Sequence, residues 1–177
     1  MYFVILKSLY YWRVIMSQLS DKFLQEAERK KVKFNGKVIE SKSKNPNGDD
    51  VIQKQLVLQT ALQVTQEKVV PCAVVIHDTD SLEYVNYQIS YNRIGLVTDR
   101  NALPRILEKL NEVNSMKSGY YHFVVNPDGE LLMRHLGILG PDPIPAVNVF
   151  IHGGNILRLL MNELNAIDGL DLSTRLD

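Results

Sequence analysis

The stretch "SGYYHFVVNPDGELLMRH", Ser118–His135, encodes a complete β-hairpin. In its first half, successive side chains follow the two-residue period of a strand whose two faces have different surroundings. The turn "NPDG" places Pro127 where its fixed φ suits a type I turn, and Gly129 where the backbone needs positive φ. A return strand is predicted from Glu130 to Ile138. This hairpin specifies structure and supplies no reactive group.

Three helices are predicted from apolar stripes at helical spacing. In the third, Gly153 and Gly154 weaken the middle by about 1 kcal/mol each relative to alanine, which favours a kink or a close helix crossing. The predicted helices are Ser17–Lys31, Thr98–Met116 and about Pro145–Ile167.

The region between the first two helices is predicted to be mainly β-structure. The segment "QKQLVLQTALQVTQ", Gln53–Gln66, is predicted to be a strand with an apolar face and a glutamine face, with a helix as the alternative. The run "VVPCAVVI" is predicted to be a central strand, and Leu82–Tyr91 a further strand followed by a short one at "NRIGLV". Asn35-Gly36 predicts a hairpin turn. The segment "KSKNPNGDD", Lys42–Asp50, has no large apolar residue and is predicted to be a mobile loop.

The predicted order is α-β-β-β(-β)-α-β-β-α. Because helices and strands do not alternate as βαβ units, we expect an α+β fold, a mainly antiparallel sheet with helices packed on one face. Residues 16–177 are expected to form one domain. Residues 1–15 are apolar and aromatic, and we interpret them as the product of an upstream start codon assigned in error, with an interfacial membrane anchor as the alternative.

The charge balance argues against a nucleic-acid partner. Lysine plus arginine equals aspartate plus glutamate, 20 of each, so the chain has no excess positive charge for a phosphate backbone. The single cysteine, Cys72, lies in an apolar strand and is predicted to be a buried thiol. Its solitary occurrence is compatible with a reducing cytoplasm, the location that we expect.

Motifs that carry chemistry are weak. The histidines at 77, 122, 135 and 152 have no metal-binding spacing, although His122 and His135 lie on paired strands and could face each other. "HDTDS", residues 77–81, is read as a turn, and "IHGGN", residues 151–155, lies in a helical stripe without a nucleophile motif to accompany it. The sequence therefore predicts no catalytic residue, no cofactor and no metal, and the chain is expected not to be an enzyme.

The segment "KSGYYHFVV" resembles the first RNP element of RNA recognition motifs, which present aromatic side chains for base stacking. The match is partial, since His122 replaces a small residue and Asn126 replaces the final aromatic. Binding of single-stranded RNA is one alternative function, and a small enzyme with an unrecognised site is the other.

The segment "ILEKLNEVNSMKSGYYHFVVNPDGELLMRHLGIL" resembles the YbjN-type proteins, whose fold is that of type III secretion chaperones. Asn111 and Asn114 match the family's asparagines, Asp128-Gly129 its turn, and Met133-Arg134 its return strand, within a resemblance that spans Leu82–Leu164. The resemblance implies a small cytoplasmic homodimer that binds other proteins as a chaperone or regulatory adaptor, without catalytic residues. The neutral charge and the Lys42–Asp50 loop depart from the secretion chaperones.

The predicted function is therefore non-enzymatic protein binding through an apolar and aromatic surface, to a client or regulator protein, without nucleic acid or membrane. Tyrosine is a rigid amphipathic residue that is enriched at interfaces, and the second helix has an apolar stripe suited either to sheet packing or to self-association. The predicted partner or dimer surface consists of Tyr84, Tyr87, Tyr91, Tyr120, Tyr121, Leu103, Leu107 and Leu110.

Overall fold

The computed structural model describes residues 17–44, 48, 50–77 and 83–173. Its helices are α1 (Gln18–Arg29), α2 (Leu103–Met116, after a 3-10 turn at Arg100–Ala102) and α3 (Ile144–Asn165). Its strands are β1 (Asn35–Lys44), β2 (Asp50–Gln63), β3 (Val69–His77), β4 (Val85–Val97), β5 (His122–Val125), β6 (Glu130–Leu139) and β7 (Leu170–Asp171). The predictions for residues 1–15 and for 78–81 of "HDTDS" lie outside the described residues.

The strands form one sheet in the order β1-β2-β3-β4-β6-β5, and β7 pairs with the end of β4. The β1–β2, β4–β7 and β5–β6 pairs are antiparallel. Burial alternates along β3 and β4, as it does when one face of a sheet is covered and the other meets solvent. The predicted α+β fold with a mainly antiparallel sheet is confirmed, whereas the secretion-chaperone class stays a prediction.

The chain divides into two compact units. Unit 1 comprises the described residues within Met1–Gln59, Val74–Gln88 and Leu136–Val147. Unit 2 comprises those within Thr60–Ala73, Ile89–His135 and Asn148–Asp177. The expectation of a single domain stays a prediction.

In unit 1, α1 begins after the predicted cap Ser17 and ends at Arg29, two residues before the predicted end at Lys31. The Ser17 hydroxyl accepts the backbone N–H of Ser20 at 3.3 Å, and the buried stripe consists of Leu19, Phe23 and Ala27. Near the other end, both oxygens of Glu26 accept from the Arg29 guanidinium at 2.6 Å. This hydrogen bond lowers the pKa of Glu26, because it stabilises the carboxylate form.

The structure corrects two predictions about β1. Asn35 pairs with Gln59 inside the strand, so Asn35-Gly36 does not form a hairpin turn. The strand then continues to Lys44, which pairs with Asp50, so the ends of the predicted Lys42–Asp50 loop are β-structure, while residues 45–47 and 49 lie outside the described part. The reason is that an edge strand gains its ladder bonds from one neighbour and does not require large apolar side chains.

Two further differences concern unit 2. The strand predicted to end at Tyr91 and the short one after it are a single strand, β4, whose burial alternation shifts by one residue at Arg93. Arg93 has φ +55° and its backbone N–H donates to the Glu130 carboxylate at 2.7 Å, features typical of a bulge. The residues after α3 contain a short strand, β7, that the sequence analysis does not predict, and Leu170 and Leu172 are buried.

The predicted hairpin in Ser118–His135 is confirmed, since β5 pairs with β6. Phe123 pairs with Met133 in an antiparallel register, and both side chains are buried. The backbone N–H of Gly129 donates to the Asn126 carbonyl at 2.9 Å, and Gly129 has φ +93°. The turn therefore has the positive φ at Gly129 that its sequence predicts.

Candidate interaction surface

Four of the eight residues predicted for a partner surface belong instead to the hydrophobic core. A side chain that is covered by its own chain cannot contact a partner in this conformation, so this part of the prediction is corrected. The four buried residues are Tyr87, Tyr91, Tyr121 and Leu110.

Two of these tyrosines are held in unit 2 by backbone carbonyls of α3. The Tyr121 hydroxyl donates to the Val149 carbonyl at 2.8 Å, and the Tyr91 hydroxyl donates to the Phe150 carbonyl. The Tyr91 and Tyr121 rings meet edge to face with centroids 5.7 Å apart. Burial raises the pKa of Tyr91, since the phenolate would lie away from water. A buried tyrosine needs such a hydrogen bond, and here it binds the sheet to the helix.

Gly153 makes this arrangement possible. A Cβ at Gly153 would lie 2.4 Å from both Cζ and the hydroxyl of Tyr121 and 2.7 Å from the Tyr91 hydroxyl. A Cβ at Gly154 would lie 3.1 Å from a terminal methyl of Leu62. The glycine pair therefore allows the close approach of the helix that its sequence predicts, and the segment "IHGGN" is explained by packing.

The remaining predicted residues are at least partly accessible. Tyr84 in unit 1 is 56% exposed, Tyr120 and Leu107 in unit 2 are also exposed, and Leu103 is half-buried. Contact of these residues with a partner stays a prediction. Tyr84 comes one residue before β4, and in the sequence it alternates in phase with the polar Asn86 and Gln88, which is a signal for the solvent face.

Among the further apolar residues that unit 1 exposes, the two with the largest exposed fractions, Leu136 and Ile138, were missed by sequence reasoning. Leu136 and Ile138 are 65% and 68% exposed, and they project from the face of β6 opposite to the buried Leu139. The Tyr84 ring lies beside the end of β6, where a Cβ at Gly140 would be 2.9 Å from its Cε1. Leu136 and Ile138 lie on one face of β6, and Tyr84, the residue before β4, lies beside the end of that strand. We call these three exposed residues the β4–β6 patch: Tyr84, Leu136 and Ile138.

The histidine pair that the sequence suggested is not formed. His122 pairs with Arg134 in the hairpin, so His135 belongs to the opposite face of β6. The His135 Nδ1 lies 2.8 Å from the Tyr120 carbonyl, and its ring packs 5.5 Å from that of Tyr121. Within the described ranges, no group of three or more histidine, cysteine, aspartate or glutamate side chains is arranged to hold a metal ion.

Cys72 is buried, as predicted, and burial raises the pKa of its thiol to about 12. The thiolate is the nucleophilic form of cysteine, so this side chain stays protonated and unreactive at neutral pH. It packs in unit 2 as a small apolar group.

The RNP-like segment presents only part of its aromatic set. Tyr121 and Phe123 are buried, while Tyr120 and His122 are exposed. Base stacking needs an accessible ring face, and the two buried aromatics therefore cannot take part in it.

The helix α3 is long and apolar enough to cross a membrane by length and composition alone. Core helices share these properties, and the apolar residues of α3 in unit 2 are largely buried by protein. The buried members are Phe150, Leu157, Leu160, Met161 and Leu164.

No family model matches this chain, and no curated protein matches it. The YbjN-type resemblance therefore stays a prediction. The features that bear on function are a buried tyrosine cluster in unit 2 and an exposed apolar patch in unit 1.

Proposed function

We propose that this chain is a non-enzymatic protein-binding protein, a chaperone or regulatory adaptor, and that the β4–β6 patch contacts its protein partner. The observation that carries the proposal is the exposure of Leu136 and Ile138 on one face of β6 and of Tyr84 beside the end of that strand. Scattered exposed apolar residues are normal on soluble proteins, whereas adjacent ones commonly mark an interaction site.

The composition of the patch supports a protein partner. Leucine and isoleucine gain free energy when they leave water, at roughly 25 cal/mol per Å² of buried apolar surface. Tyr84 adds a rigid ring and a hydroxyl, a combination that is common at the centres of interfaces. Neither aliphatic side chain offers the donors or acceptors that would bind a small polar substrate.

Homodimer formation is the second part of the proposal. The same type of apolar surface joins subunits of obligate dimers, and the YbjN resemblance implies a dimer. Sedimentation velocity of the purified chain tests this part. A monomer at all accessible concentrations would contradict dimerisation and leave the client-binding part intact.

The client-binding part is tested by photo-crosslinking in cells of the native host. A benzoylphenylalanine placed at Ile138 should form a crosslink to one defined protein, identified by mass spectrometry. The same group at Leu159 is the matched control, because Leu159 is an exposed leucine on α3, at 81%, whose helical neighbours Asn155 and Asn162 are polar and exposed.

Specificity is then measured with the purified partner by titration calorimetry. The double variant Leu136→Ser/Ile138→Ser should lose at least about tenfold in affinity, because interface leucine and isoleucine contribute through burial. Leu159→Ser should leave the affinity unchanged. Equal crosslinking from both positions, or crosslinks only to a second copy of the chain, would contradict client binding through this patch.

A further inference from the structure

The two edge strands of the sheet, β1 and β5, differ in how their outward backbone groups are bonded. At the β5 end, the Asn114 side chain accepts the backbone N–H of Phe123 at 2.7 Å and donates to the carbonyl of Phe123 at 3.0 Å. Just before β5, the Tyr121 N–H donates to the Ser118 carbonyl at 3.0 Å and the Ser118 hydroxyl donates to the Tyr121 carbonyl. The last turn of α2 and the residues after it therefore satisfy the backbone groups of Tyr121 and Phe123, and an added strand would have to break these hydrogen bonds.

The β1 end has a different construction. Among the described strands, β1 lies at the end of the order and pairs with β2 alone, over ten residues from Asn35 to Lys44. Alternate residues of an edge strand direct their N–H and C=O groups away from the sheet. This edge is therefore long enough to template a partner strand of about ten residues.

Positive charge is concentrated in β1 and in the residues just before it. Residues 30–44 contain six lysines and a single acid, Glu40, in a chain whose net charge is zero. The Glu40 carboxylate lies 4.0 Å from Nζ of Lys54, its cross-strand neighbour, so a further lysine offsets its charge. The six lysine side chains are exposed: Lys30, Lys31, Lys33, Lys37, Lys42 and Lys44.

The lysines also lie on both faces of the strand. Lys37 projects to one face of β1, and Lys42 and Lys44 project to the other, because side chains alternate along a strand. Both sets of side chains on an added strand would therefore meet positive charge.

We propose that the β1 edge binds an extended acidic segment of a partner protein, which adds to the sheet as a further strand. Backbone hydrogen bonds to the edge provide the register, and the lysines select acidic side chains. This proposal names a second surface and a partner chemistry within the proposed protein-binding function, and it does not require the β4–β6 patch.

Two other occupants fit the edge less well. A second copy of β1 would bring lysines against lysines, and like charges on an edge are a device that prevents such pairing. A nucleic acid would satisfy the charge, but its backbone has no amide groups to complete a β-ladder.

The test uses the full chain and fluorescence anisotropy with a labelled ten-residue peptide of alternating glutamate and threonine. We expect saturable binding that weakens as the salt concentration rises from about 50 mM to about 300 mM, because exposed charges are screened. The triple variant Lys37→Glu/Lys42→Glu/Lys44→Glu should lose at least about tenfold in affinity. Arg100→Glu/Arg105→Glu/Lys109→Glu, which makes the same charge change on exposed positions in and before α2, should retain most of it.

The strand-addition geometry is tested with the same peptide N-methylated at alternate residues, which keeps the charge and removes backbone donors. Equal binding of the N-methylated peptide would overturn strand addition, as would stronger binding of a uridine oligonucleotide of equal charge. Concentration-dependent self-association that the β1 triple variant abolishes would show that a second copy occupies the edge and would also overturn the proposal. Because every β4–β6 patch residue is unchanged, these failures leave the proposed function standing.

Discussion

Two tyrosine rings in this protein lie against a glycine, one buried in unit 2 and one exposed in unit 1. Tyr121 lies against Gly153, and its hydroxyl is bonded to a helix carbonyl. Tyr84 lies against Gly140 and is 56% exposed. The same kind of contact therefore serves two purposes. Where the hydroxyl has a backbone partner and the ring is covered, the contact stabilises the fold, and where the ring stays exposed, it leaves a surface for another molecule.

The largest expected effect comes from filling the buried gap. Gly153→Ala places a methyl group 2.4 Å from the Tyr121 ring and hydroxyl, so the tyrosines and α3 must move apart. Overpacking and the strained hydrogen bonds outweigh the gain of about 1 kcal/mol in helix propensity, and we expect a net loss of about 2–3 kcal/mol in the free energy of unfolding. Urea denaturation followed by circular dichroism measures this change.

Two neighbouring substitutions provide controls. Gly154→Ala meets only the flexible end of Leu62 at 3.1 Å, and Gly140→Ala meets an exposed ring that can swing away. Each should change the free energy of unfolding by less than about 1 kcal/mol. If Gly153→Ala is as stable as Gly154→Ala, the tyrosine cluster does not depend on this glycine.

The burial of Cys72 should also make the free energy of unfolding depend on pH. Burial raises the pKa of Cys72 to about 12, above the ordinary value of about 9 in an unfolded chain. The native state therefore retains this proton while the unfolded state releases it, so stability is fully present below pH 9 and falls as the pH rises towards 12. Between pH 9 and 10.5 this linkage costs about 1.5 kcal/mol.

The measurement compares urea denaturation of the wild type and of Cys72→Ala at several pH values over that interval. The variant loses some packing at every pH, but its stability should depend less steeply on pH than that of the wild type. Parallel curves would mean that the thiol ionises as readily in the native state as in the unfolded one.

The sequence predicts the element order because that order depends on local periodicity and turn chemistry. The hairpin at Asn126–Gly129 and the three helices follow from residues that lie close together in the chain. The hairpin turn predicted at Asn35-Gly36 is wrong because both residues pair with β2, and this pairing outweighs the local turn preference. The strand β7 was missed for the same reason, since its two residues are ordered by contact with β4.

The candidate surface was only partly predictable. Tyr84 could be placed on the solvent face from its phase with Asn86 and Gln88, whereas Tyr91 and Tyr121 are buried by a helix from a distant part of the chain. Leu136 and Ile138 escaped detection because β6 has apolar residues on both faces, so its pattern does not reveal which face is covered. Which face a helix covers is decided by tertiary packing.

The smallest expected effect on the free energy of unfolding comes from removing the tyrosine hydroxyl groups one at a time. Tyr91→Phe and Tyr121→Phe each remove one hydrogen bond to a carbonyl of α3 and should reduce the free energy of unfolding by about 1 kcal/mol. Tyr84→Phe removes a hydroxyl from a half-exposed ring and should change it by less than about 0.5 kcal/mol. Thermal or urea denaturation of the three variants measures the difference.

Substitutions at Tyr84 and Tyr121 should also differ in their effect on partner binding. Tyr84→Ser removes the ring from the β4–β6 patch and should weaken capture of the partner while the unfolding free energy changes by less than about 1 kcal/mol. Tyr121→Phe should reverse this result, with reduced stability and normal affinity at a temperature where the variant is folded. If Tyr84→Ser destabilises the chain as much as Tyr121→Phe does, the exposed ring is a structural support and the distinction between the two regions fails.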